Sequence, residues 1–383
     1  MNIVKLNSVI FFLIGLGVTL RSFYIYSISL APLPLISIFL VFFLCYLNRQ
    51  RLRTAKLDSN IVLFIAFFIM YICFSISLNF YYRNANINVN SIFGVFLNLS
   101  FFFSIYLLKD VFVECKKGLN YLIIFHLCFF FFQFFMFHVF GDKIDYLLSI
   151  TGEAQRFNGF ANVEGSGTSM FRPVGLFTEP GNYSIHILTL LWLAYLADEI
   201  NPIVEKCALA SVVLSFSLTG MAGVLVYIVL KLNKKIELKY MIISILSLIA
   251  FAYIFNELII NYLSERVGNI SNDNSTNVRV MAFEAITSFS ITMQLFGVGL
   301  GHDYVQIHLP TIPYVLVTFG IVGSIIIFLL FITLAHSNNV TIKTYLFFLF
   351  ISFQFYTLMH PLFWYFWVGV FIFSSHAKRK ACC

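Results

Sequence analysis

Charge is what this sequence has least of. Its 383 residues include 24 Lys and Arg and 17 Asp and Glu, 11% of the chain, against 60% hydrophobic and 19% aromatic residues. The mean hydropathy is +0.90. A soluble chain of this length carries about a quarter of its residues charged, so soluble enzyme folds and nucleic-acid-binding modules are excluded. The composition is that of a polytopic membrane protein. Cysteine is nearly as uninformative: Cys45, Cys73, Cys115, Cys128, Cys207, Cys382 and Cys383 all avoid the long loops, so neither a disulfide framework nor a zinc site is implied. No small-residue cleavage site follows the first apolar run, which reads as a membrane helix rather than a signal peptide. There is no Asp-x-Asp motif, Walker loop or His-x-x-x-His pair, so metal-bound nucleotide chemistry has no visible apparatus. There is also no internal repeat and no inverted pair of broken helices, which disfavours a transporter.

What is present is a succession of apolar runs suited to crossing a bilayer: 8–20, 33–47, 61–78, 92–108, 119–140, 183–197, 240–260, 313–335, 344–358 and 362–373. Segment 207–232 is one long helix or two short ones broken around Ser215, Ser217, Thr219, Gly220 and Gly223. Parity decides for two. The total is then about 12 spans, with both termini cytoplasmic. The cytoplasmic segments then collect Lys5, Arg49, Arg51, Arg53, Lys56, Lys109, Lys116, Lys117, Lys206, Lys231, Lys234, Lys235, Lys239, Lys343, Lys378, Arg379 and Lys380. A single helix would put Lys231, Lys234, Lys235 and Lys239 outside, against the bias of basic residues toward the cytoplasm. The exterior retains Lys143 and the arginines 21, 83, 156, 172, 266 and 279. An arginine fork suits bidentate contact with phosphate oxygens, although snorkelling from a helix end accounts for any one of them. The expected architecture is one all-α membrane domain over 1–383, with long exterior loops at 141–179 and 261–312.

Chemistry-bearing residues fall in those loops. The first ends in Arg172-Pro-Val-Gly-Leu-Phe-Thr-Glu179-Pro180-Gly181, followed at once by an apolar run. Glu179 before Pro180 reads equally as a helix start, with an acid near the positive dipole end, and as the partner of a nearby arginine. Arg172 sits just outside the membrane in a turn fixed by Pro173 and Gly175, where a charge needs a partner. The second loop carries Arg279. Then come Ala282, Ile286, Phe289, Met293 and Phe296 at helical spacing, an amphipathic helix at the membrane surface with Arg279 on its apolar side. Gly297-Val-Gly-Leu-Gly301 lacks the strand a dinucleotide loop requires, so close backbone packing or a tight turn is expected. His308 closes the loop. A lone histidine is most often a structural hydrogen bonder, yet an imidazole beside two arginines is what a general base needs, and His302 and His360 on the same side are its rivals.

The ordered set comprises the Arg172–Glu179–Pro180 segment, the broken serine-containing pair, Arg279 followed by Leu295-Phe-Gly-Val-Gly-Leu-Gly301, and His308 ahead of Gly320-Ile-Val-Gly323. It resembles the bacterial O-antigen polymerase and O-antigen ligase superfamily, in motifs over 172–323 and in topology over the whole chain. The resemblance implies an all-helical, glycosyltransferase C-like fold in the bacterial inner membrane with its active site on the periplasmic face. Arg172 and Arg279 would bind the donor diphosphate, His308 would be the catalytic base or orient the hydroxyl, and Glu179 would support them, without cofactor or metal. The implied partners are undecaprenyl-diphosphate-linked oligosaccharides as donor and acceptor, membrane lipid and a chain-length regulator protein, with no nucleic acid. Glu179-Pro180 after the first arginine is polymerase-like.

These residues suit that chemistry. A sugar on a diphosphate already has a good leaving group, so two arginines neutralise the departing charge and one histidine takes the acceptor proton. A single in-line displacement inverts the anomeric centre. Two other expectations remain open: a ligase moving the finished glycan to lipid A core, and a lipid-linked oligosaccharide flippase or other transporter.

Overall fold

The computed structural model describes residues 3–20, 32–54, 58–82, 87–159, 170–232, 286–302, 309–352 and 358–382. These form helices α1 (Ile3–Thr19), α2 (Pro32–Leu47), α3 (Arg49–Thr54), α4 (Ser59–Tyr81), α5 (Val89–Leu107), α6 (Lys109–Glu114), α7 (Gly118–Phe135), α8 (Leu148–Thr151), α9 (Pro180–Leu196), α10 (Pro202–Leu214), α11 (Leu218–Lys231), α12 (Ile291–Phe296), α13 (Thr311–Ser337), α14 (Ile342–Ser352) and α15 (Pro361–Cys382). The only strands among the described residues are the two-residue β1 (Asn158–Gly159) and β2 (Met170–Phe171), paired antiparallel, so the fold is all-helical in substance. Helices occur at every expected apolar run except 240–260, which lies outside the described residues. By length and composition, Ser59–Tyr81, Val89–Leu107, Gly118–Phe140 and Thr311–Ser337 can each cross a membrane, and four further apolar helices are shorter. Apolar helices of this kind make the chain a multi-pass membrane protein.

Local sequence sets the starts. Asp58 accepts from the Asn60 N–H at 3.0 Å, Asn88 from Ser91 at 3.1 Å and Asn201 from Ile203 at 2.9 Å, each satisfying a donor left over at a helix N-terminus. Pro180 and Pro202 occupy the first helical positions of α9 and α10, where a missing N–H costs nothing.

Segment 207–232 is the expected broken pair. Phe216 takes a left-handed φ of 51° between α10 and α11, and Ser217 caps the second helix by accepting from Gly220. Glu205 at the start of α10 reaches Lys231 (2.5 Å) and Tyr227 (2.7 Å) near the end of α11, so the pair is a hairpin that enters and leaves on one side. A methyl group on Gly220 or Gly223 would strike Ser184 or Leu188 of α9; these small residues let the helices approach closely.

Polar contacts divide the bundle into two ends. At one, Arg51 pairs with Glu114 at 2.8 Å, Lys116 with Glu199 at 2.8 Å, and Lys231 with Glu205. The same end holds the reciprocal Asn7–Asn48 amide pair and Tyr106, bonded to Asp58 and Asn338. Phe373 of α15 packs against Phe112 of α6 there, with ring centroids 5.6 Å apart. The opposite end carries loop residues 141–159 and 170–179, the 297–302 turn and the starts of α13 and α15. The surface between the ends exposes Phe39, Phe67, Met70, Ile325, Phe328 and Leu349, while Trp192, Trp364, Trp367 and Tyr365 are buried inside.

One element departs from expectation. The amphipathic helix is not continuous through Phe296: helix ends before Phe289, and α12 starts afresh with Ser290 accepting from Met293. Serine competes for backbone donors and so caps rather than continues a helix. Ile286, Phe289 and Met293 still pack against the core, as their spacing required.

Candidate functional site

The site is built around the first long loop. Beyond α7 the chain passes a single wide turn, Met136–Phe140, and reverses at Gly141 with φ +77°. Asp145 then accepts from the Leu147 and Leu148 N–H groups, both at 2.8 Å, starting the short α8. The loop returns as a narrow ladder, Asn158 opposite Phe171 and Gly159 opposite Met170, extended by the Arg172 N–H donating to Phe157 O at 2.8 Å. Phe171 is held between Phe137 (4.0 Å between ring centroids) and Phe157 (5.6 Å), which anchors the ladder on the end of α7.

The turn after Arg172 is suspended from two buried glutamines. Gln133 of α7 accepts from Val174 and Gly175 N–H at 2.8 and 2.9 Å. Its amide donates to Ile144 O at 2.8 Å and to Gln155 Oε1 at 3.2 Å. Gln155 donates to Gly175 O and Phe177 O, both at 2.7 Å, and accepts from Tyr146 N–H at 2.9 Å. Each side chain thus fills all four of its hydrogen-bonding positions. A fully satisfied buried network of this kind fixes one conformation. Gly175, at φ +56°, supplies the one backbone angle that an ordinary residue resists. Nearby, burial pushes the Tyr146 hydroxyl up to about 12, so it stays a neutral donor to Phe129 O.

Arg172 is 8% exposed, inside the structure rather than on its surface. Glu179 starts α9 with extended backbone and makes no side-chain cap; it pairs instead with Arg156 at 3.5 Å. The Arg156 backbone N–H also donates to Thr178 O at 2.8 Å, so residues 155–157 and 172–179 close on each other. Arg156 is the arginine that the Glu179 alternative called for. Below the turn runs a row of aromatic and imidazole rings. Phe177 lies 5.2 Å from His126 and 4.6 Å from His186, and His186 lies 5.6 Å from His360. All three histidines are buried. His126 Nε2 meets Thr19 Oγ1 at 2.9 Å, His186 Nδ1 meets Asn182 O at 2.7 Å, and His360 Nδ1 accepts from Leu362 N–H at 3.2 Å.

The glycine turn is a second built element. Gly297, Gly299 and Gly301 all have positive φ, and the turn hangs on α13 through Val298 N–H to Val317 O (3.0 Å) and Gly299 N–H to Thr318 O (3.1 Å). These carbonyls are free because α13 breaks at Gly320, with φ 65° and ψ −172°. Ser75 and Asn79 of α4 bind Leu300 from the other side at 2.9 and 2.7 Å, and the Tyr71 hydroxyl donates to Phe319 O at 3.2 Å. The two glycine motifs, 297–301 and 320–323, are therefore one packed unit. A methyl on Gly297 would meet Gly320 N at 2.6 Å. His302 ends this turn, bridged to Ile87.

Arg279 and His308 lie outside the described residues. Of the named site residues, Arg172 and Glu179 share one rigid turn, while His302 and His360 stand on separate elements of the same end. Among the described residues no group of three or more His, Cys, Asp or Glu side chains is placed to hold a metal ion. Gln133, Gln155, His126, His186 and Arg156 were not singled out from sequence. The first four lack any motif spacing, and only the acid at Glu179 hinted at the fifth. The arrangement presents a buried guanidinium in a preorganised turn at the bundle end opposite most of the ion pairs, which suits binding an anion next to lipid. Searches against protein-family models, curated proteins and solved structures match nothing to this chain.

Proposed function

We propose that this chain is an O-antigen polymerase: a 12-span inner-membrane glycosyltransferase of glycosyltransferase C-like architecture with both termini cytoplasmic. It transfers a growing glycan from undecaprenyl diphosphate to the non-reducing sugar of a new lipid-linked repeat unit at the periplasmic face. The observation that carries this reading is buried Arg172 in a turn held by Gln133 and Gln155, at the end opposite the Lys116, Glu199, Glu205 and Lys231 cluster. Under the positive-inside bias the basic end is cytoplasmic and the arginine turn periplasmic. In the mechanism, Arg172 and Arg279 neutralise the leaving diphosphate, and His308 accepts the proton of the attacking hydroxyl as the new glycosidic bond forms. Glu179 holds Arg156 at the rim.

The test is incubation of the purified protein in lipid with a synthetic diphosphate-linked repeat unit. A ladder of products supports a polymerase. Transfer to added lipid A core without a ladder would make it a ligase. Protection of the glycan inside sealed vesicles, with no new bond, would make it a flippase.

A further inference from the structure

Two helices serve as rulers across the bundle. Gly118–Phe140 runs 23 residues from the end marked by Lys116 and Lys117. That is about 34 Å at the helical rise, slightly more than the roughly 30 Å of hydrocarbon in a bilayer. Gln133 stands about 22 Å along it and Phe130 about 18 Å. α9 has 17 residues, about 26 Å, and its end is level with the start of α7 because Lys116 Nζ donates to Ala197 O at 3.0 Å. Both rulers set part of the first long loop below the far edge of the hydrocarbon. Ile144 O accepts from the Gln133 amide, and a methyl on Gly175 would lie 3.6 Å from the Phe130 backbone N. Those two levels are about 8 and 12 Å beneath the edge. Tyr183, in the first turn of α9, stacks on Phe130 at 4.6 Å, so the second ruler agrees with the first.

We propose that residues 144–152 are a re-entrant segment embedded in the acyl region of the far leaflet, with Leu148 and Ile150 against lipid. Hydrocarbon supplies no hydrogen bonds, so backbone at this depth must satisfy itself. The segment does so. Asp145 accepts the N–H groups of Leu147, Leu148 and Gln155, each at 2.8 Å, and Gln155 accepts that of Tyr146 at 2.9 Å. Leu147 O takes the N–H groups of Ile150 and Thr151, Leu148 O that of Gly152, and Thr151 Oγ1 that of Glu153. A loop in water needs no such closure, because solvent fills the same positions. The Asp145 carboxylate is engaged by its three backbone donors, as an ionisable group at membrane depth must be.

Exposure selects the partner. Leu148 and Ile150 are 52% and 63% exposed, and they extend the bare apolar face presented by Phe132, Phe135, Val139 and Phe140. The exposed charges of residues 141–155 are Asp142 and Lys143, confined to the reversal after Phe140 at headgroup level. The segment is also tied to the site, since Gln155 donates to Gly175 O and Phe177 O. Lipid contact at α8 therefore bears on the turn that carries Arg172, and that turn lies within the thickness of the far leaflet.

The experiment places tryptophan in the full chain, one copy per lipid nanodisc, and reads the quenching of its emission. Trp192, Trp364 and Trp367 are at most 2% exposed, so their contribution is the constant emission of the unmodified protein. Ile150→Trp and Leu148→Trp each put a larger ring at an exposed position, and Lys143→Trp is the reference at the reversal. Phosphatidylcholine brominated on its acyl chains is expected to quench the emission added at 148 and 150 at least about twofold more than that at 143, and acrylamide in the water to do the reverse. The two variants on α8 guard against a failure of either to fold. Quenching of both by acrylamide as strongly as Lys143→Trp would return the segment to water and overturn the proposal. Quenching of both by neither agent would mean that protein, not lipid, covers α8, and would overturn it equally. No glycan substrate enters the measurement, so its outcome is independent of the transferase reading.

Discussion

Gln133 and Gln155, 22 residues apart, meet amide to amide at 3.2 Å inside the protein, and between them they bind four backbone groups of the turn that follows Arg172. Both side chains are buried, and neither has an unused position. They act together as the hinge plate on which the arginine turn is mounted. If Arg172 binds phosphate, its placement depends on residues that cannot reach the phosphate themselves.

The first expectation follows. Gln133→Leu leaves the Val174 and Gly175 N–H groups buried without an acceptor, and each such group costs about 1–3 kcal/mol. Gln155→Leu strands the Gly175 and Phe177 carbonyls in the same way. Both variants should lower the thermal unfolding midpoint by several degrees and lose glycan transfer. Gln133→Glu keeps the two acceptor positions but loses both amide donors, so it should be intermediate. Unchanged stability in both leucine variants would show that the turn is held by other contacts.

Arg172→Ala should abolish transfer with membrane protein levels unchanged, and Arg172→Lys should rescue poorly, because an ammonium cannot reproduce the bidentate fork. The same holds for Arg279. Full activity with lysine would reduce both to diffuse charge or membrane anchors. Arg156→Ala should behave differently: with a side chain 69% exposed, its pair with Glu179 contributes little to stability. Its effect should fall on substrate binding at the rim, as a raised KM with kcat nearly unchanged.

Much of this architecture is legible in the amino-acid pattern, and for identifiable reasons. Apolar runs specify helices, Ser215–Ser217 specify the break before α11, and Gly297–Gly301 without a preceding strand specifies a packed turn. What stays hidden is long-range polar pairing. Gln133 sits in a run of phenylalanines and Gln155 in an unpatterned loop, so nothing along the chain announces that they meet. His126 and His186 are masked likewise by apolar neighbours. The break at Ser290 is hidden too, because the apolar spacing continues on either side of it.

Gly320→Ala tests the glycine unit. Its φ of 65° with ψ −172° is closed to L residues at a cost of order 1–3 kcal/mol, before counting the collision of the new methyl with the backbone of Leu295 and Gly297. Gly320→Ala and Gly297→Ala should both lower the unfolding midpoint and the yield of folded protein. Gly94→Ala is the control. In α5 an added methyl meets only Met359 at 3.8 Å, so that variant should be neutral or slightly stabilising.

Reporter fusions test the placement of the two ends. Asn158 and Asn274 should report periplasm, and Arg53, Lys235 and Lys380 cytoplasm. The hairpin sharpens this, because Glu205 bonded to Lys231 requires the chain on both sides of 207–232 to emerge on one face. A cytoplasmic signal at Asn274 would contradict the 12-span reading and remove the second loop from the proposed site.

The identity of the base is tested by comparing three histidines. His308→Ala should retain donor binding, since the arginines hold the diphosphate, yet lose turnover by about two to four orders of magnitude, the usual worth of a positioned general base. His360→Ala should fail in another way. Its ring is buried, its Nδ1 accepts the Leu362 N–H at the start of α15, and it meets His186 edge to face. Removing it should therefore lower the unfolding midpoint along with activity, and His360→Asn, which retains an acceptor, should restore part of the stability. His302 ends the glycine turn and bridges Ile87 through backbone, so His302→Ala should be mild in both measurements. Kinetics and unfolding measured on the same preparations separate a proton acceptor from a structural ring. Loss of turnover at unchanged stability in His302→Ala, with His308→Ala fully active, would reassign the base to the glycine turn. Full activity in all three variants would leave Glu179 as the next acidic or basic group at the mouth of the arginine turn.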